Sequence, residues 1–214
     1  MKAAIGVEFV STSFSSCREL ILTDYEAKYG DVRLLRFVGN YILDTATFAI
    51  VNYRLARYLQ SLGLTRAARF ITLLSERIAY IHISQDAEIG PSLCIPHGFG
   101  IIIGGNTVMG SHCTIQQGVT TGGNFWRERK DSDGSIREYP IIGDYVHLGS
   151  GCVVAGPISI GNSVIIGANT TVTSDVSDYS IVMGGRSEVV KKIDPNNEEH
   201  RKRFFSAIPD TKEH

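Results

Sequence analysis

From Ile141 to Val176 the chain places apolar residues at a fixed step of six. Ile142, Leu148, Val154, Ile160, Ile166 and Val172 form the series, and Gly143, Gly149, Gly161 and Gly167 follow four of them. Four residues after each anchor stands a second apolar or small residue: Val146, Cys152, Ile158, Val164, Thr170 and Val176. A helix needs a period of about 3.6 and a flat strand a period of about 2, so neither accounts for the pattern. Two inward positions in every six predict a parallel β-helix, whose short sides meet at glycine-tolerant corners while each coil stacks on the last.

The same rhythm begins upstream at Ile83, Ile89 and Ile95, with Ala87 and Leu93 as inward followers. It slips once between Ile95 and Ile103, then resumes through Met109, Ile115 and Thr121, with Thr107, Cys113 and Val119 inside. The slip adds two residues at Pro96-His97-Gly98-Phe99-Gly100. A bulged corner of this kind can aim a side chain out of the stack. A longer break separates Thr121 from Ile142, so residues 124–138 (NFWRERKDSDGSIRE) are expected to leave the coil as a charged loop carrying the single Trp. Loops this long inside a compact repeat usually have a function.

Ahead of the repeat, residues 1–16 lack periodicity and are expected to form a flexible or docked arm. Leu20, Ile21 and Tyr25 predict a short helix between Cys17 and Gly30. Asp44 is placed to cap a helix with Phe48, Val51, Leu55 and Tyr58 on one face, ending at Gly63. Thr65 is placed to cap another, with Ala68, Ile71, Leu74, Ile78 and Ile81 sharing a face. Arg54, Arg57, Arg66, Arg69 and Arg77 then fall mostly opposite, as solvated surface or a subunit contact. After Val176, one strand-like segment from Ile181 to Val190 and a charged tail or helix from Asp194 to His214 are expected. The predicted division is a helical region at 1–80, a β-helix of about four coils at 81–193 and the tail at 194–214. The fold is mostly β, with the helices covering one open end of the coil.

With 214 residues, 43% of them hydrophobic, and a formal charge of −1, the chain suits one main core plus a modest appendage. That balance suggests no nucleic-acid partner. No uninterrupted apolar stretch approaches the ~18 residues of a spanning helix, so no stable membrane insertion is expected and the chain reads as cytoplasmic. Cys17, Cys94, Cys113 and Cys152 contain no C-x-x-C pair and are expected to be reduced core residues.

With His97, the loop and Gln117-Gly118-Val119-Thr120-Thr121-Gly122-Gly123 located, the chain resembles the hexapeptide-repeat acyltransferases. Within them it is similar to the serine acetyltransferases and to relatives that acetylate sugars during polysaccharide assembly. Ile89-Gly90, Ile95-Pro96-His97-Gly98 and Gly100-Ile101-Ile102-Ile103-Gly104 carry the likeness before the loop, and Ile142-Gly143 onward carries it after. The resemblance implies a left-handed coil, contrary to the usual crossover hand. It also implies a homotrimer with active sites between neighbouring prisms, and acetyl-CoA as donor with no metal. A larger assembly through the N-terminal helices is compatible with it. His97 becomes the expected general base, since an alcohol near neutral pH needs its proton taken as it attacks a thioester. Gly123, Ser150 and, one coil on, Ala168 are implied along the donor groove. Lys191, beside Lys192, is the candidate for the CoA phosphates, because the usual closing Gly-x-Pro-Ala-basic signature is replaced by Gly184-Gly185-Arg186-Ser187-Glu188.

Other departures concern the acceptor. Where serine acetyltransferases carry an Asp that orients the base, this chain has His82, and Ser84-Gln85 replaces the following His-Pro. Asp86, Glu88 or a backbone carbonyl remain as substitutes. The Arg-His-Pro set that reads the amino-acid groups of serine becomes Glu138-Tyr139-Pro140, with Arg137 one place early. A Glu there opposes the carboxylate of serine. Trp126, Tyr139, Arg127 and His82 are therefore expected to contact the acceptor. The expected function is O-acetyl transfer to a saccharide hydroxyl in capsule or other surface-polysaccharide biosynthesis. Serine O-acetylation in cysteine biosynthesis is the alternative. Two further classes use such a prism: a trimeric zinc enzyme, for which His82, His97, His112 and His147 are the imidazoles to weigh, and a non-catalytic scaffold.

Overall fold

The structure is a computed structural model, and it describes residues 13–124, 127–184, 188–192, 194 and 196–199. Four helices precede the repeat. Ser13 caps α1 (Phe14–Tyr29) by accepting the Ser16 N–H, and the chain leaves it through Gly30 at a φ of 75°, a left-handed value that glycine tolerates. α2 (Leu34–Leu43) has no counterpart among the sequence expectations. Asp44 caps α3 (Thr45–Ser61) as expected, accepting the Thr47 N–H at 2.9 Å. Thr65 is not a cap but the first residue of α4 (Thr65–Ala79). On α4, Ala68 is buried as expected, but the rest of the buried face is Thr72, Ser75 and Ala79, whereas Leu74 and Ile78 are exposed. Small residues let α4 lie close against α3, which pushes the larger aliphatics outward.

The arginine expectation fails at Arg54, which is buried. Its Nε donates to Asp24 of α1 at 2.8 Å, and Nη1 and Nη2 donate to the carbonyls of Ile89 and Gly90 at 2.6 Å each. Asp24 also accepts the Leu93 N–H at 2.8 Å. One buried pair thus ties two helices to the first coil, helped by Tyr53, whose hydroxyl donates to the Ala87 carbonyl.

The repeat then climbs in tiers. The first holds β1 (Ile81–Ile83) and β2 (Glu88–Ile89); the second holds β3 (Ile101–Ile103), β4 (Val108–Met109) and β5 (Thr114–Ile115). The third opens with β6 (Thr120–Gly122). The loop follows, containing the antiparallel pair β7 (Arg129–Lys130) and β8 (Ile136–Arg137), and the tier closes with β9 (Ile141–Ile142) and β10 (His147–Leu148). Above it lie β11 (Val153–Ala155), β12 (Ser159–Ile160) and β13 (Ile165–Ile166), then β14 (Thr171–Val172) and β15 (Ser180–Met183). The expected final strand is instead two: β15 turns back into β16 (Glu188–Lys192), its antiparallel partner.

Parallel pairing sorts these strands into three faces. The first sheet runs β1-β3-β6-β11-β14, the second β2-β4-β9-β12 and the third β5-β10-β13-β15. Five tiers result, the middle three with a strand on every face and the first and last with two, against the four coils expected. On the first sheet, Ile83, Ile103, Thr121, Val154 and Val172 stack in register, all buried. This column holds every third anchor of the six-residue series, one from each coil. Glycine after an anchor is a packing requirement: a Cβ on Gly149 would stand 2.7 Å from the Ala168 nitrogen of the next coil. All four cysteines are free; Cys17, Cys113 and Cys152 are buried and Cys94 half-buried. Burial pushes the thiols of Cys113 and Cys152 up to about 12, so both stay protonated core residues at neutral pH.

Candidate active site

The bulged corner lies where the third sheet passes to the first. Gly98 fits against Ala46 at the start of α3, where a Cβ would meet the Ala46 nitrogen at 2.9 Å, and its carbonyl accepts the Thr45 hydroxyl at 3.0 Å. Phe99 packs its ring against Tyr80 at 5.6 Å, and Gly100 donates to the Tyr80 carbonyl. Clamped on both sides, the corner leaves His97 exposed. Among the described residues no side chain hydrogen-bonds its ring.

Every later coil turns at this same edge. Gly118 donates to the Phe99 carbonyl, Gly151 to that of Gln117 and Asn169 to that of Ser150, at 2.8, 2.9 and 2.8 Å. Ser150 and Ala168 therefore stand in line above the His97 corner, as expected for a groove running along the coil axis. Gln117 lies in the same line and is a site candidate that the sequence reading left within its motif. Glycines and short side chains dominate this strip, which leaves room for an extended chain. The N–H groups of Ser150 and Ala168 donate to nothing among the described residues. These are the groups a thioester or pantetheine carbonyl would use.

Gly123 is elsewhere. It follows β6, at the edge between the first and second sheets, one strand length from His97. There the Tyr139 ring covers it: a Cβ on Gly123 would lie 3.8 Å from Tyr139 Cε1, and one on Gly104 only 3.2 Å. A pocket of about 190 Å³ opens here, lined by Gly123, Asn124, Arg127, Glu128, Glu138 and Tyr139. Within one chain, the structure thus separates the expected residues into a His97–Ser150–Ala168 edge and a Gly123–Arg127–Tyr139 edge.

The loop is held down by its arginines. Arg127 Nη1 donates to the Thr173 carbonyl at 3.0 Å, and Arg129 grips both oxygens of Asp175 at 2.9 and 2.7 Å. Arg137 donates to Asp131 at 3.1 Å and to the Ile158 carbonyl at 2.8 Å, with both members of this ion pair about nine-tenths buried. Trp126 and Phe125 lie outside the described residues, as do Gly185-Arg186-Ser187 and the Lys191 side chain.

His82 lies on the outer face of the first sheet, paired in register with Ile102, and its Nδ1 meets Glu76 Oε2 of α4 at 3.1 Å. The two suggested carboxylates do not serve His97. Asp86 sits at the opposite edge, accepting from Gln60 at 2.6 Å, and Glu88 belongs to the second sheet. The imidazoles weighed for zinc stand apart within one chain. His112 stacks flat on Tyr145 at 4.8 Å, His147 sits on the third sheet, and no group of three ligating side chains gathers among the described residues. Burial holds the His147 imidazole below its ordinary pKa.

Residues 139–174, the regular part of the repeat, match the family described as bacterial transferase hexapeptide (six repeats). A serine acetyltransferase of Helicobacter pylori (strain ATCC 700392 / 26695) is 36% identical over 144 residues, spanning 67% of this chain and 80% of the relative. The chain belongs to the serine acetyltransferase-like hexapeptide acyltransferases. Two solved members extend the likeness to most of the chain. A serine acetyltransferase in complex with CoA superposes with a TM-score of 0.69 at 25% identity, over 85% of this chain and 72% of that one. The Neisseria gonorrhoeae enzyme in complex with serine gives 0.70 at 26%, over 84% and 71%. As a family member the chain is an acetyl-CoA-dependent O-acetyltransferase. These relatives are named for serine, whereas Glu138 and Tyr139 suggest a saccharide from sequence. Among the described residues no single helix is long and apolar enough to cross a membrane.

Proposed function

We propose that this enzyme moves acetyl from acetyl-CoA directly to the hydroxyl of a small acceptor, with His97 as general base and L-serine as the acceptor that its relatives support best. The observation that carries the reading is the exposed His97 at the foot of a glycine-rich strip whose amides at Ser150 and Ala168 have no acceptor among the described residues. In the reaction His97 takes the hydroxyl proton as the oxygen attacks the thioester carbonyl. One amide of the strip meets the developing oxyanion, while those on higher coils hold the donor's arm. The tetrahedral adduct collapses with release of the CoA thiolate, which recovers a proton from the imidazolium. No acyl-enzyme is needed, and holding both substrates in one groove supplies much of the remaining acceleration.

The separation of the two edges supports a prism assembled as a homotrimer, and the family likeness supports a left-handed coil. If the first sheet faces the threefold axis, the His97 edge of one protomer lies beside the Gly123–Tyr139 edge of the next. This head-to-tail contact closes a ring and makes three equal grooves. Gly123, Arg127 and Tyr139 then act across the groove from His97, and Lys191 stays assigned to the CoA phosphates. In this reading the helical part of 1–80 caps the prism of 81–193; the arm expected at 1–16 lies outside the described residues up to residue 12, and the tail expected at 194–214 lies outside them from residue 200.

A saccharide hydroxyl is a second reading, favoured by one specific observation. Arg137, the nearest substitute for a carboxylate-reading Arg, is consumed by Asp131 and Ile158. The test is release of free thiol from acetyl-CoA with L-serine beside a panel of sugars and sugar nucleotides, products being read by mass spectrometry. O-acetylserine supports the first reading. Turnover with a saccharide and none with serine would replace it by the second, and no turnover with either would remove both.

A further inference from the structure

Successive coils repeat one backbone conformation at the His97 edge. Gly100, Gly118, Gly151 and Asn169 follow one another up that edge with left-handed φ values of 66°, 73°, 68° and 54°. The glycines stack closely: a Cβ on Gly100 would lie 3.7 Å from the Gly118 Cα, and one on Gly118 would lie 3.4 Å from the Gly151 Cα. The residue before each turn therefore leaves its coil in the same direction, which makes Phe99, Gln117, Ser150 and Ala168 one column of side chains. Neighbouring members stand one strand spacing apart, about 4.8 Å. Phe99 carries no polar group, the Ser150 hydroxyl is short and Ala168 ends at a methyl. Gln117 is the member with a long donor, and it is exposed, with no hydrogen-bond partner for its carboxamide among the described residues.

Its tier matches one atom of the reaction. An acceptor oxygen sits about 3 Å from the imidazole that takes its proton, and the carbonyl carbon about 3–3.5 Å beyond that oxygen at attack. With the donor's arm held on the coils of Ser150 and Ala168, the thioester carbonyl comes down to the level of Gln117, between the arm and the base. From this arrangement we infer that Gln117 is a further catalytic residue, whose carboxamide N–H donates to the thioester oxygen. As the acceptor oxygen bonds to the carbonyl carbon, the carbonyl π pair moves onto that oxygen, and the bond from Gln117 strengthens with the charge. The pair returns as the C–S bond breaks, and the departing thiolate takes from His97 the proton that came from the hydroxyl. Gln117 neither gains nor loses a proton. This inference rests on the proposed transferase reading and adds a side chain to its oxyanion site.

The test compares the full-length wild type with Gln117→Ala, Gln117→Glu and Gln117→Leu, at saturating L-serine or, should serine fail, the saccharide that turns over. Gln117→Ala is expected to lower kcat by about 100- to 1,000-fold. KM for acetyl-CoA, and the calorimetric affinity for CoA, which lacks the acetyl group, should stay within about threefold. Gln117→Glu, similar in shape but without the donor, should lose at least as much turnover. A second readout needs no acceptor: the isotope-edited infrared carbonyl band of a bound ketone analogue, in which a methylene replaces the thioester sulfur, should lie lower in the wild type than in Gln117→Leu. Turnover of Gln117→Ala within about threefold of wild type, an unshifted carbonyl band, or a loss confined to donor affinity would each overturn the inference while leaving the transferase reading intact. Turnover that survives His97→Ala would instead overturn the reading beneath it.

Discussion

His97→Ala lowers turnover by about 100- to 10,000-fold and leaves CoA affinity within a few-fold of wild type. The first half of that expectation follows from the chemistry of a neutral alcohol, which gains about this much from a positioned base. The second follows from geometry. His97 stands on a bulge at the foot of the strip, whereas the backbone at Ser150 and Ala168, on higher coils, provides the amides for the donor. Its corner is fixed by Thr45, Ala46 and Tyr80, none of which depends on the imidazole. Folding should be untouched, so thermal melts of the variant and wild type should coincide. Stopped-assay rates and calorimetric titration with CoA check the two halves separately. A variant that loses CoA binding in proportion to rate would make His97 a donor-binding residue.

Asp24→Ala unfolds the protein more readily than any single surface change, by about 3–5 kcal/mol, because it strands a buried guanidinium. For a chain of this length that corresponds to a fall in melting temperature of roughly 6–20 °C. Arg54 would keep its bonds to the carbonyls of Ile89 and Gly90, but its charge would lose its only anionic partner among the described residues. The Leu93 N–H would lose its acceptor as well. Differential scanning calorimetry on Asp24→Ala, with the exposed Asp133→Ala as control, checks the prediction. A melting point within 2–3 °C of wild type would mean that the helices and first coil are joined chiefly by apolar packing.

The six-residue step made the prism legible because every coil must bury the same two positions, and the column Ile83–Ile103–Thr121–Val154–Val172 is that rule in register. The extra residues around His97 were equally visible, as a coil cannot hide an insertion. The α4 face was misread because periodicity counts Leu74 and Ile78 as core, while close helix packing chose Ala68, Thr72, Ser75 and Ala79. Arg54 was misplaced for a related reason: its partners come from α1 and from two backbone carbonyls that meet only in the fold. Spacing along the chain also does not reveal which edge a corner occupies. Gly123 and His97 therefore read as one site in sequence and stand on opposite edges of a single chain. The loop's attachment rests on pairs such as Arg129–Asp175, 46 positions apart, which no local pattern signals.

That division between edges makes the shared groove the central claim, and mixed trimers test it most directly. His97→Ala removes the base edge, and Gly123→Trp fills the acceptor pocket on the other. Each homotrimer should be nearly inactive while keeping its size and far-ultraviolet dichroism. Mixed one to one, dissociated and reassembled, the two should recover about a quarter of wild-type turnover, because each mixed ring contains one groove with both edges intact. Activity no greater than the mean of the two parents would contradict the account and place the whole site within a single chain.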